Sequence, residues 1–285
     1  MAHASALNMN DTVFVDCAMA WDTDALFGLY PSLGFTRDGL AHRPKQGDDP
    51  SPEAFLAAQQ EAWDFVRGRI DRGIPCYGWE LAHIPMYYVI NGYDDVGYYW
   101  SAHMEGGPCP WDKMGTFDVR HVSVHSIEPC PAAADDVVVR DALTWLLERI
   151  ERPDGWTINP QRYRTGLPAY EMWAEALATG RAILGDHGYI NHFWLECREM
   201  AVEFLREAKG RLAGRCDAAF DEAAAHYAVV RDRLRALLEM HPEREGKELD
   251  WTTTFQSADG AALVRDAAEA ETQGVACLRR IAEAL

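Results

Sequence analysis

The chain has 285 residues, 48% of them hydrophobic and 11% aromatic, with a formal net charge of −18. That length allows one large domain or two of ordinary size, and the apolar and aromatic content is enough for a packed core, which excludes a disordered chain. The acidity repels phosphate, so nucleic acid and anionic membrane surfaces are excluded as partners.

The N-terminal stretch MAHASALNMN lacks a basic region and a long apolar core, so it does not read as a signal peptide. No run approaches the roughly 18 apolar residues of a membrane span. The seven cysteines, Cys17, Cys76, Cys109, Cys130, Cys197, Cys216 and Cys277, are widely spaced and contain no C-x-x-C pair. That spacing argues against a zinc ribbon or a thioredoxin-type centre. A cytoplasmic protein with reduced thiols is expected.

In chain order, the first clear element is a helix over Ser51–Arg72. Ser51-Pro52-Glu53 supplies an N-cap and a first-turn proline, and Gly73 supplies the stop. Strands are expected over Ile74–Leu81, Met86–Asn91, Gly97–Ser101 and Val119–Ile127. Gly92 and the Asp94-Asp95 pair provide turn chemistry between the second and third. The last strand alternates, with Val122 and Val124 on one face and His121, Ser123 and His125 on the other. GGPCPWDKMG, Gly106–Gly115, reads as a loop, either a lid over a cleft or a rigid surface turn. Its Lys113 is the only basic residue in a long stretch.

The pattern turns helical after CPAAADD. Helices are expected over Asp135–Glu151, Leu167–Thr179, Ile190–Leu212, Cys216–Met240 and Asp259–Leu285, packed antiparallel as a bundle. The Pro129–Pro131 stretch marks the boundary. The expected domains are residues 1–130, with an antiparallel sheet and helices, and residues 131–285, all helical. The class is α+β.

Two segments resemble a known family. ALFGLYPSLGF, Ala25–Phe35, resembles the "lfGLg-gLGF" segment of the butirosin-biosynthesis acyltransferase N-terminal family, which has a papain-like, peptidase-C39-like fold. GIPCYGWEL followed by YYVINGYDD resembles that family's "G-x-P-V" and "H-x-V-x-V-x-GYDD" strands. GLPAYEMW resembles its helical C-terminal part. The resemblance implies a cysteine peptidase-like frame for the first domain.

Such chemistry needs a Cys at a helix N-terminus, a His on a facing strand and an Asp or Asn that orients the His. By this resemblance the Cys position falls near Ala2–Ser5, where His3-Ala4 stands. The His position, counted back from Gly92, falls on Met86, whose thioether accepts no proton at neutral pH. The orienting position falls near Ser101 or Ala102. All three groups are replaced.

Three readings follow. A non-catalytic relative would keep the cleft to bind a small molecule or a carrier-linked acyl group of secondary metabolism. A thiol encoded upstream of Met1 would restore one member only. Displaced residues would support an acyl or amide transferase or a thiol hydrolase, with Cys17 as nucleophile and His83 or His103 as base; Cys76 and Cys109 are further candidate thiols. Any single Cys is more often an inert core residue.

Trp79, Glu80, Met86, Asp94 and Trp111 are the candidate substrate-binding residues. Glu80 interrupts an apolar run and needs a partner if buried. Asp94 also reads simply as a turn residue. His192, Glu196 and Glu199 on one helix and Glu222 and His226 on the next have spacings that occur at metal sites and also in solvated helix pairs, and no metal is assigned. No phosphate loop or dinucleotide fingerprint occurs, so no cofactor is expected. The helical region is a candidate homodimer surface.

Overall fold

The computed structural model describes residues 10–11, 24–42, 50–84, 86–102, 104–117, 120–151, 164–240 and 253–285. The architecture is mixed, with an antiparallel six-stranded sheet and six helices of more than one turn among the described residues. Two compact units divide the chain: Gly34–Ala132, and a second that combines the residues before 34 with those after 132.

The sheet unit begins with β1 (Phe35–His42), followed by helix α1 (Pro52–Ile70). Ser51 caps α1, its hydroxyl accepting from the Ala54 N–H at 3.2 Å, and Pro52 opens the first turn. Phe55, Ala58, Gln59, Ala62, Trp63 and Val66 form the buried stripe of α1 at helical spacing. Next come β2 (Cys76–Trp79), β3 (Tyr87–Tyr93), β4 (Gly97–Ser101), β5 (Glu105–Pro110) and β6 (Val122–Pro129). The strand order is β1-β6-β2-β3-β4-β5, every pair antiparallel.

Strand alternation gives the sheet two different faces. Cys76, Tyr88, Ile90, Val122 and Val124 join α1 in one apolar core, in which the Trp63 ring meets Tyr98 edge-on at 5.0 Å. The intervening positions carry Arg37, Tyr77, Trp79, Tyr87, Ser123 and His125 on the opposite face.

The helical unit comprises α2 (Asp135–Glu151), α3 (Leu167–Thr179), α4 (Leu184–Arg211), α5 (Asp217–Glu239) and α6 (Ala258–Ala284), which share a second apolar core. Leu26, Leu29 and Leu33 pack on that core, so the described residues 24–33 belong with the helices. This corrects the expected first domain of residues 1–130: the helical unit is discontinuous, and the sheet unit lies within it in sequence. On α5 the buried residues Phe220, Ala223, Tyr227, Val230, Leu234 and Leu237 alternate by three and four, the seam spacing of helices packed at a shallow angle. An ion pair sits inside this core. Arg198 Nε donates to Glu271 Oε2 at 2.7 Å, the Tyr170 hydroxyl donates to the same oxygen at 2.9 Å, and both charged side chains are enclosed. Among the described residues, no helix is long and apolar enough to cross a membrane.

Candidate functional site

The α1-distant face of the sheet carries a cluster of rings. The Tyr77 and Tyr87 rings meet edge-on at 5.4 Å, Trp79 and Tyr87 at 5.1 Å, and Trp79 lies 5.7 Å from the His121 ring. His125 stands 5.2 Å from Tyr77 and 6.0 Å from Tyr87. The period-2 spacing of Tyr77 and Trp79 on β2, and of His121, Ser123 and His125 along β6 and the residue before it, puts these side chains on one side. The Tyr77, Trp79 and Tyr87 side chains are half-buried, whereas His121, Ser123 and His125 are buried.

A hydrogen-bond chain runs beneath the rings. An Arg37 guanidinium N–H donates to His125 Nε2 at 2.7 Å. Ser123 Oγ lies 2.9 Å from the same nitrogen and 3.0 Å from the Tyr87 hydroxyl. A guanidinium can only donate, so this contact is a hydrogen bond in the tautomer whose Nε2 is free to accept. Burial pushes the Tyr77 phenol above its ordinary value, against the opposing pull of Arg37. Gly39 on β1 makes room for the imidazole: a Cβ there would lie 2.3 Å from His125 Nδ1 and 2.3 Å from the Val124 carbonyl oxygen.

Trp79, expected at the site, stands at the rim of this cluster. Its indole N–H is buried and has no hydrogen-bond acceptor among the described residues. A buried donor left without an acceptor costs about 1–3 kcal/mol. Such an atom invites an acceptor from a bound molecule or from water.

Glu80 performs a different task. It is fully buried in a left-handed backbone conformation, φ 52°. Its N–H donates to the Met86 carbonyl at 2.9 Å, its carbonyl accepts from Gly115 N–H at 3.2 Å, and its Oε2 accepts from Phe117 N–H at 3.2 Å. Glu80 therefore clasps the segment 114–117 to the end of β2. Gln59 on α1 holds the same segment by donating to the Asp112 and Met114 carbonyls, both at 2.8 Å. Met86 is half-buried and packs on the edge of the apolar core, as does Trp111.

Asp94 is a turn residue. Its Oδ1 accepts from the N–H groups of Val96 at 2.8 Å and Gly97 at 3.0 Å, and its Oδ2 accepts from the Tyr99 hydroxyl at 2.8 Å. The two backbone donors hold its carboxyl below the usual carboxylate range. Trp79 pairs with Tyr87 at the opposite end of β3. At about 3.3 Å per residue, Asp94 lies on the order of 20 Å from that pair and shares no site with Trp79.

The expected catalytic group is not assembled among the described residues. Cys17 and His103 lie outside them, as does the Ala2–Ser5 segment. His83 is exposed in a bend between β2 and β3. Burial pushes the Cys76 and Cys109 thiols up to about 11, where little thiolate exists at neutral pH. The expected loop over Gly106–Gly115 needs correction, since its first half is the edge strand β5 and its second half is fastened by Gln59 and Glu80. Lys113 is exposed beside Asp112 at 3.2 Å. The sequence reading missed Arg37, Tyr77, Tyr87, His121 and His125 as site residues. Their shared parity with Trp79 on paired strands was the available signal.

On the helices, Glu199 is paired with Arg235 at 2.7 Å. His192 and Glu196 do not join Glu222 and His226; Cys277 does. No family model matches the chain, and no curated protein matches it significantly.

Proposed function

We propose that this protein binds a small molecule or a carrier-linked acyl group on the ring-lined face of its sheet, and that its frame is a papain-like one whose thiol, imidazole and orienting positions have been replaced. The buried indole N–H of Trp79, which has no acceptor among the described residues and lies beside the Tyr87 and His121 rings, carries this reading. Stacked and edge-on rings offer a flat apolar surface. The indole N–H of Trp79 is shielded from water beside that surface, so a ligand group that reaches it must be an acceptor, such as a carbonyl oxygen. A carbonyl is what an acyl or amide group would offer. Two further observations support a binding role over thiol catalysis. By the resemblance, Met86 would stand where that family has its proton acceptor, and the buried thiols Cys76 and Cys109 are raised to about 11, where the neutral form dominates at neutral pH.

Calorimetric titration of the full chain with acyl thioesters, acyl amides and aromatic amides tests this. Saturable binding is expected, weakened at least tenfold by Trp79→Phe, which keeps a ring and removes the donor. Cys17→Ala should leave binding unchanged. Absence of binding together with thioester hydrolysis that is lost in Cys17→Ala would overturn the proposal in favour of an acyl or amide transferase.

A further inference from the structure

Glu222 and His226 sit one turn apart on α5, and Cys277 faces them from α6. One carboxylate oxygen, one imidazole nitrogen and the Cys277 sulfur all lie within 4.8 Å of one another. Glu222 is exposed, His226 half-buried and Cys277 buried, so the soft donor lies innermost and the harder donors face water. The spacing of the two helices here is fixed by packing. Gly274, one turn before Cys277, lies so close to Tyr227 that a Cβ there would come within 2.8 Å of Tyr227 Cε2. Tyr227 is the next residue after His226, so the tightest contact of the helix pair adjoins the donor cluster.

The cluster already attracts a cation. Arg280 Nη2 lies 2.6 Å from Glu222 Oε2 and 3.1 Å from Cys277 Sγ. Arg280 holds the Glu222 carboxyl below its usual range, and burial pushes the Cys277 thiol up. The guanidinium is exposed and sits on a long flexible stem, so it can leave without disturbing the helices.

From this geometry we infer that Glu222, His226 and Cys277 form a binding site for a borderline divalent transition metal, with Zn(II) as the best match. Thiolate, imidazole and carboxylate are the three donor types zinc takes, at about 2.0–2.3 Å each. Tetrahedral bonds of that length bring donors within about 3.3–3.8 Å of each other, so separations of at most 4.8 Å leave each pair no more than about 1–1.5 Å to close. On binding, the Cys277 S–H proton leaves to solvent, Arg280 releases Glu222, and the charges of thiolate, carboxylate and Zn(II) sum to zero. Three protein donors leave one position for water.

The test uses the full chain, stripped with a chelator and titrated with Co(II) in place of zinc. One equivalent is expected to bind with a thiolate-to-cobalt charge-transfer band, and Zn(II) should bleach that band stoichiometrically. Cys277→Ser should abolish the band, His226→Ala should weaken binding at least tenfold, and Arg280→Ala should leave it unchanged or tighten it. If Cys277→Ser perturbs the fold, the surface variants Glu222→Gln and His226→Gln carry the test through the same tenfold loss. The absence of a thiolate band, its survival in Cys277→Ser, or unchanged affinity in both surface variants would overturn the assignment.

Discussion

Cys76 lies at the start of β2 with its side chain in the core beneath α1, and Cys109 is the buried residue of the edge strand β5. An apolar surrounding disfavours the charged form of a thiol, which is why both are raised from 9.0 to about 11. Between those values the unfolded chain releases the two protons and the folded chain retains them. Stability therefore carries no contribution from these groups' titration below about pH 9 and falls as pH rises from 9 to 11. Urea midpoints measured across this window should decline, and the decline should be shallower in Cys76→Val/Cys109→Val. An identical pH profile in that variant would show that neither thiol is linked to folding. Alkylation gives a second view of the same residues: Cys76 and Cys109 should react slowly at neutral pH and accelerate only in alkali.

At the level of elements, Gly39 shows how one strand can set the site on another. Its missing side chain lets the His125 ring lie against β1, where Arg37 reaches Nε2. Gly39→Ala should drive the imidazole off that bond and cost about 1–3 kcal/mol, as overpacking does. The check is a lower urea midpoint together with a shifted His125 Nε2 resonance. An unmoved resonance would mean the strand yields instead of the ring. The sequence displays why some elements were readable and others were not. The helices of residues 135–151 and 167–179 and the strand Gly97–Ser101 carry regular apolar spacing and clear punctuation, and each lies where its pattern places it. β1, FTRDGLAH, is exposed at most of its positions and has no apolar alternation to betray it. β5, EGGPCP, holds two glycines and two prolines and reads as a turn, yet an edge strand tolerates proline because one side of its ladder faces no partner. The helix expected to begin at Ile190 begins at Leu184, running through Gly185 and Gly188. There, burial on neighbouring helices outweighs the intrinsic cost of glycine. The ring cluster was only half legible. The alternation of β6 is plain in the sequence, but the register that sets Tyr77 beside His125 is a long-range pairing that no local pattern encodes.

For the molecule as a whole, the governing feature is that residues 34–132 form a compact unit that interrupts the sequence of the other. Their two ends meet: the Cys130 N–H donates to the Gly34 carbonyl at 2.9 Å, and a Cβ on Gly34 would be 3.1 Å from that of Ala132. A unit with adjoining ends and its own core should survive excision. The isolated segment 34–132 is expected to unfold cooperatively in urea with a β-containing circular dichroism spectrum. A random-coil spectrum would show that its core depends on the rest of the chain. The nested order also has a temporal side. On a ribosome adding on the order of 5–20 residues per second, the inner unit is complete before any residue beyond 132 emerges. Leu26, Leu29 and Leu33 leave the exit tunnel ahead of the sheet unit, yet the helices that cover them are translated only after the intervening stretch of about 100 residues, some 5–20 s later. During that interval three leucines of the helical unit wait uncovered, which makes residues 24–33 a point of chaperone engagement and slower synthesis past Ala132 the step that prolongs it.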